Sequence, residues 1–201
     1  MRMLAKVSRI PAIPAFALIA LLHCTPAAAK DAVLELDSAG TQVSFTLGAT
    51  LHSVHGTFKL KSGSVQFGPA PGHAGGLLVV DAASGESGNQ SRDRKMHNDI
   101  LESNQFPEIT FAPQQLQGGP LPEGNFTVQV LGVLTIHGVS HPITLAVQAH
   151  RSGEQLTADT AFTVPYVSWG LKNPSTLLLR VNESVDVTIH AVGRIQPAGN
   201  Q

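Results

Sequence analysis

The 201-residue chain has one cysteine, Cys24. An internal disulfide framework is therefore excluded, and so are cysteine-rich zinc sites and Cys-His catalytic pairs. Charge is also scarce. Asp, Glu, Lys and Arg make up 13% of the residues, about half the usual share. Lys+Arg 13 nearly balances Asp+Glu 14 and the pI is near 6.7. No basic field exists to attract phosphate backbones, which argues against a nucleic-acid binder. The chain shows no internal repeat, low-complexity linker or second domain. It also lacks a Gly-x-Ser-x-Gly elbow. The stretch Gly72–Gly76 is interrupted by His73-Ala74 and lacks the lysine and helix of a phosphate loop. What is present is apolar capacity. Hydrophobic residues reach 42%, enough for a real core, so wholesale disorder is excluded. Nineteen glycines and 13 prolines punctuate the chain and favour many short strands over long helices.

The first segment reads as an address. Arg2, Lys6 and Arg9 precede an apolar run from Ile10 to Leu22, and Thr25-Pro26-Ala27-Ala28-Ala29 follows. A positive head, a short greasy middle and small residues at −3 and −1 describe a secretory signal peptide cleaved after Ala29. The run carries Pro11 and Pro14 and is short for a membrane span. No other stretch is long and apolar enough to span one. Leu21-Leu22-His23-Cys24 admits a competing lipoprotein box, with Cys24 acylated. His23 fits that box poorly, because the peptidase wants a small residue before the cysteine. The sequence thus predicts a leader over 1–29, a single exported domain over 30–196 and a polar tail over 197–201. The expected compartment is the periplasm. Three of the basic residues and none of the acidic ones lie in the leader, so the exported chain is net acidic.

Beyond the leader, apolar and polar residues alternate with period two. Val43, Phe45 and Leu47 do so, as do Phe126, Val128 and Val130, then Ile143, Leu145 and Val147, then Val185, Val187 and Ile189. One apolar and one wet face per strand is the pattern of antiparallel sheet. Eight to ten such strands spaced by turn signals predict an all-β sandwich or barrel. Residues 91–101 break the alternation with a charge cluster. They predict one short helix, capped by Ser91, that packs Met96 and Ile100 or Leu101 onto the sheet.

Candidate chemistry is sparse. His52 and His55 differ by three, so on a regular strand they face opposite sides. His137 and His141 flank a predicted turn. Neither pair has a carboxylate repeating beside it, which favours turn and surface histidines over a metal site. Asp93, Asp99, Glu102 and Glu108 cluster near Arg92, Arg94 and Lys95. They read as surface ion pairs worth little each, with Arg92-Asp93 as an internal brace. Small residues in or beside strands (Gly48, Ala49, Ala82, Ala83, Gly132, Ala146 and Ala158) admit two readings. They are close backbone approaches, or they leave room inside for a guest.

Three ordered segments carry a resemblance. Ser87-Gly88-Asn89-Gln90-Ser91-Arg92-Asp93 is followed by Met96, Ile100-Leu101 and Phe106-Pro107-Glu108-Ile109-Thr110-Phe111. Gly132-Val133-Leu134-Thr135-Ile136-His137-Gly138-Val139-Ser140-His141-Pro142 is the second, and Val54-His55-Gly56-Thr57-Phe58 the third. Together they resemble the YceI-like family of exported bacterial proteins, over about Val33 to Ile195. The segment Tyr166–Thr176 is similar to only a branch of that family. The resemblance implies a lipocalin-like antiparallel β-barrel of about eight strands. It also implies a long isoprenoid or other lipid tail bound inside, without catalysis or cofactor. Combined with the alternation, it places that tail against Val43, Phe45, Phe58, Phe67, Phe111, Val128, Leu145 and Val187, with any polar head at the mouth. The competing readings are a stress-response or structural barrel packed solid, and a metal carrier or enzyme using His52, His55, His137 or His141. Oligomeric state is not encoded in any feature of the sequence.

Overall fold

The computed structural model describes residues 32–68, 72–117 and 121–197. The expected leader and its cleavage site lie outside them, as do residues 198–201. Pro197 is the last residue of a strand. The described residues form nine strands: β1 Ala32–Leu36, β2 Gln42–Leu47, β3 Val54–Phe67, β4 Ala74–Glu86, β5 Glu108–Gln117, β6 Gly124–Ile136, β7 Val139–Ser152, β8 Gln155–Val164 and β9 Val185–Pro197. One helix, α1 Gln90–Lys95, continues into a π-helical turn, Met96–Ile100.

Every pairing is antiparallel, and the sheet closes through β3 and β4. That closure decides between sandwich and barrel. β1 and β2 share one stave: β1 pairs the far half of β3 and β9, and β2 pairs the near half of both. The loop between them is pinned by Asp37 N–H donating to Val192 O and Thr41 N–H donating to Asp37 O. The result is an eight-stave barrel in which one stave is broken in two. Closure satisfies every edge, which is how such sheets avoid pairing with other chains. The expected all-β lipocalin-like antiparallel barrel with a short helix is what forms.

Local chemistry explains the joints. His137 and Gly138 both take positive φ, +52° and +74°. They make the two-residue primed turn that matches the twist of a hairpin between β6 and β7. The helix is capped by Asn89, whose side-chain oxygen accepts from Arg92 N–H. The expected cap, Ser91, instead lies within the helix. Asn89 wins because Gly88, at φ +77°, reverses the chain just before it, leaving Asn89 extended for capping.

Helix α1, the π-turn and the irregular segment 165–184 all sit at one end of the barrel, here called the near end. A core cluster there joins Leu101, Leu134, Ile136, Val164, Tyr166 and Leu171. A second cluster at the far end joins Leu34, Leu156 and Ile195. The barrel centre between them is not packed solid.

Candidate functional site

Closing a sheet turns one face of every strand inward. Along β7 the inward set is Ile143, Leu145, Val147 and Ala149; along β9 it is Val185, Val187, Ile189 and Ala191. These faces enclose a cavity of about 660 Å³ that runs from Leu34 and Phe67 at the far end to Leu101 and Tyr166 at the near end. This size is within the ordinary range for small-molecule sites. Val43, Phe45, Phe58, Phe67, Phe111, Val128, Leu145 and Val187 all line it. Most of those positions follow from alternation, because a strand's period of two is preserved wherever no bulge intervenes. Phe58 and Phe67, an odd spacing apart on β3, share the inner face because that strand's register shifts between Leu60 and Ser62.

Strand glycines make room for the aromatic rings of that wall. Gly56 is directly opposite Phe45. A Cβ on Gly56 would stand 2.3 Å from Phe45 Cζ and 2.4 Å from Glu86 O. Gly132 has the same relation to Phe111 and Gly85 to Phe58, at 2.6 Å and 2.5 Å. Glycine in a strand interior here marks a ring lying across the backbone. The alanines do something else. Ala149 is paired with Ala158, and Ala158 with Ala191, and all three face the cavity. A row of alanines across three adjacent staves leaves lumen volume that larger residues would fill. Both readings of the small residues therefore hold, at different positions. Ala82, 1% exposed, does neither and is simply packed.

Polar atoms in the wall are few and gathered at the near end. The wall residues that reach solvent among the described residues are His52, Asn89, Ser91, Lys95 and Thr176. The described far-end wall residues, by contrast, are buried or half-buried. The mouth therefore opens beside α1, between it and the loops at 48–53 and 174–181. Arg92 and Asp93 hold α1 in place through one shared serine. Arg92 Nε donates to Ser87 Oγ at 2.7 Å and Nη2 donates to Ser87 O at 2.8 Å. Asp93 Oδ1 accepts from Ser87 N–H at 2.9 Å and from Ser87 Oγ–H at 2.5 Å. The expected brace exists, but its two charges act on Ser87 from either side.

The other acidic residues disperse. Glu108 pairs with Lys61 at 2.6 Å, and this contact raises the lysine pKa. Glu102 meets Lys172 at 2.9 Å and His137 at 3.3 Å. Lys172 first, and His137 after it, hold its carboxyl below the usual value. Tyr166, from the segment that closes the near end, donates its hydroxyl to Asn182 O at 2.6 Å. Burial, then the nearby Glu183, pushes its pKa above the ordinary value.

The histidines do not converge. His55 bonds Thr46 Oγ1 on the outer wall, whereas His52 reaches the mouth. His137 lies tilted against Phe106, and His141 stacks on Trp169. Among the described residues no three His, Cys, Asp or Glu come together as a metal site would require. Met96, expected to pack onto the sheet, does line the wall from the π-turn, whereas Tyr166, Leu171, Leu179 and Val181 from irregular backbone gave no sequence signal. No period identifies such positions; their place depends on how the segment folds over the barrel end.

Comparison with known proteins points the same way. The model of the YceI-like domain matches residues 34–193. A UPF0312 protein of Pseudomonas syringae pv. tomato is 30% identical over 138 residues, covering 67% of this chain and 70% of its own length. One from Vibrio vulnificus is 28% identical over 141 residues, covering 68% and 72%. Among solved structures, BcnA of Burkholderia cenocepacia superposes with a TM-score of 0.63 at 21% identity, covering 78% of this chain and 98% of that one. A polyisoprenoid binding domain from Saccharophagus degradans superposes with a TM-score of 0.61 at 17% identity, covering 81% and 98%. At those identities the structures speak for the fold. The three sequence segments, the closed barrel and the domain match agree: this chain belongs to the YceI-like family.

Proposed function

We propose that this protein is an exported, periplasmic carrier that sequesters a polyisoprenoid or similar lipid-like amphiphile in its barrel, without catalysing a reaction. The observation that carries the reading is the cavity of about 660 Å³ with an almost wholly apolar wall, whose exposed polar residues among the described ones gather at the near end. Each methylene buried there is worth about 0.8 kcal/mol. Ordering a flexible tail offsets much of the sum. The tail lies against Val43, Phe45, Phe58, Phe67, Phe111, Val128, Leu145 and Val187. A polar head stays at the mouth, near His52 and Lys95. The family and the polyisoprenoid-binding neighbour support binding in preference to turnover. A barrel packed solid has no use for the alanine row, and a metal carrier has no ligand cluster among the described residues.

The test is native mass spectrometry, with solvent extraction, of protein purified from its own cell envelope. A stoichiometric apolar adduct that extracts as a lipid supports the proposal. A protein that carries none, and takes none from a polyprenol dispersion, is not a lipid carrier.

A further inference from the structure

Hairpin tips normally carry glycine, asparagine or aspartate, because those residues suit the backbone and the water around it. One tip here breaks that rule. Thr176 N–H donates to Leu179 O, and Leu179 N–H donates to Thr176 Oγ1. These bonds close a two-residue turn whose central residues are Leu177 and Leu178, 97% and 90% exposed. The loop between β2 and β3 is tied to it. Thr50 N–H donates to Arg180 O, and Ala49 bridges Val181. That second loop holds up Leu51, 79% exposed. Three of the most exposed large apolar residues described thus stand on two stitched loops. Ala49, Leu179 and Val181 on the same two loops line the cavity.

We infer that these loops are a membrane-docking wedge. Leu51, Leu177 and Leu178 enter the headgroup–acyl boundary of a bilayer and bring the barrel mouth against it, so that a tail passes between membrane and cavity without crossing water. This inference rests on the carrier reading above. Three features select a bilayer over a protein partner. The leucines project from loop tips and stand largely in solvent. Three side chains fall far short of the roughly 800 Å² per partner that a stable protein interface buries, whereas shallow insertion into a membrane interface needs only a few apolar anchors. Arg180, exposed on the same loop, is placed to reach lipid phosphates while its stem follows the leucines.

The experiment places an environment-sensitive nitrobenzoxadiazole fluorophore on Leu178→Cys, and on Glu154→Cys at the far end as a control, both in the full chain with Cys24→Ser. Each protein is mixed with phosphatidylcholine vesicles containing phosphatidylglycerol. The expected result is a blue shift and brightening at position 178 and none at 154. The triple variant Leu51→Ser/Leu177→Ser/Leu178→Ser, labelled at Thr176→Cys, should need at least ~tenfold more lipid for the same response as its leucine parent labelled there. A reporter at 178 that ignores vesicles overturns the inference. So does one that responds only to rising protein concentration, with a dimer lost in the triple variant, because the loops would then meet a second copy. Uptake of N-phenyl-1-naphthylamine from solution is measured in parallel on wild type and triple variant. Equal uptake is expected, since the serines lie outside the lumen. Absent uptake in both removes the carrier reading, and the vesicle response is judged separately.

Discussion

Filling the alanine row tests whether the barrel is hollow. Ala158 lies between Ala149 and Ala191 on neighbouring staves, and all three face the lumen. In a packed interior Ala158→Phe would overpack and cost about 1–3 kcal/mol. In a hollow one the ring enters free space and buries apolar surface. A fully buried phenylalanine side chain is worth about 1.5–3 kcal/mol, less the packing it disturbs around Leu156, so the empty variant should be as stable as wild type or more so. The ligand should feel the opposite effect. A ring occupies the room of about three tail methylenes, and at ~0.8 kcal/mol each the loss is ~2.4 kcal/mol, about fiftyfold in affinity. Urea unfolding of delipidated protein gives the first quantity. Titration with a fluorescent polyprenyl analogue gives the second. Destabilisation beyond 1 kcal/mol, or unchanged affinity for the analogue, would refute the reasoning. Delipidation matters because a bound tail stabilises the wild type by mass action and hides the sign.

Other expectations follow from the same geometry. Phe45→Asp replaces a ring 8% exposed with an unpaired carboxylate and should cost about 3–5 kcal/mol and abolish lipid uptake; a variant that folds and binds normally would show that β2 does not face inward as described. Gly56→Ala should cost about 1–3 kcal/mol through its clash with Phe45 and Glu86 O. Adding Phe45→Leu should recover part of that loss in a double-mutant cycle, and strict additivity would mean the ring does not lie over the glycine. The Glu102 carboxyl has a lowered folded pKa, so its contribution is present above the ordinary value of 4.5 and disappears as pH falls through the folded value. The stability difference between wild type and Glu102→Gln should therefore exist at neutral pH and close in acid, read from thermal melts across pH 2–7. A gap independent of pH would mean that the contacts to Lys172 and His137 are not formed.

Much of the wall was legible in the sequence for one physical reason. A strand alternates strictly, so once Val43 or Leu145 is taken as inward, its neighbours two residues away follow. The hairpin at His137-Gly138 was legible too, because two positive φ angles in succession demand such residues. Other features had no local signature. Ser87 lies between Arg92 and Asp93 only because the chain reverses at Gly88. Glu108 leaves its sequence neighbours for Lys61, 47 residues earlier, because a salt bridge follows spatial proximity and not chain order.

By itself the sequence determined most strand faces, the short helix and an apolar surplus too large for the outside of so weakly charged a chain, whereas the parity of β3 turned on its bulges. Tertiary structure alone decided that the sheet closes on itself, since β3 and β4 pair only when the whole set has twisted round. It also decided that alanines from three separated stretches line up on the lumen wall beside the far-end cluster and leave volume there. Alternation is a property of neighbours along the chain; closure and hollowness depend on which distant segments meet, and no short-range pattern records that.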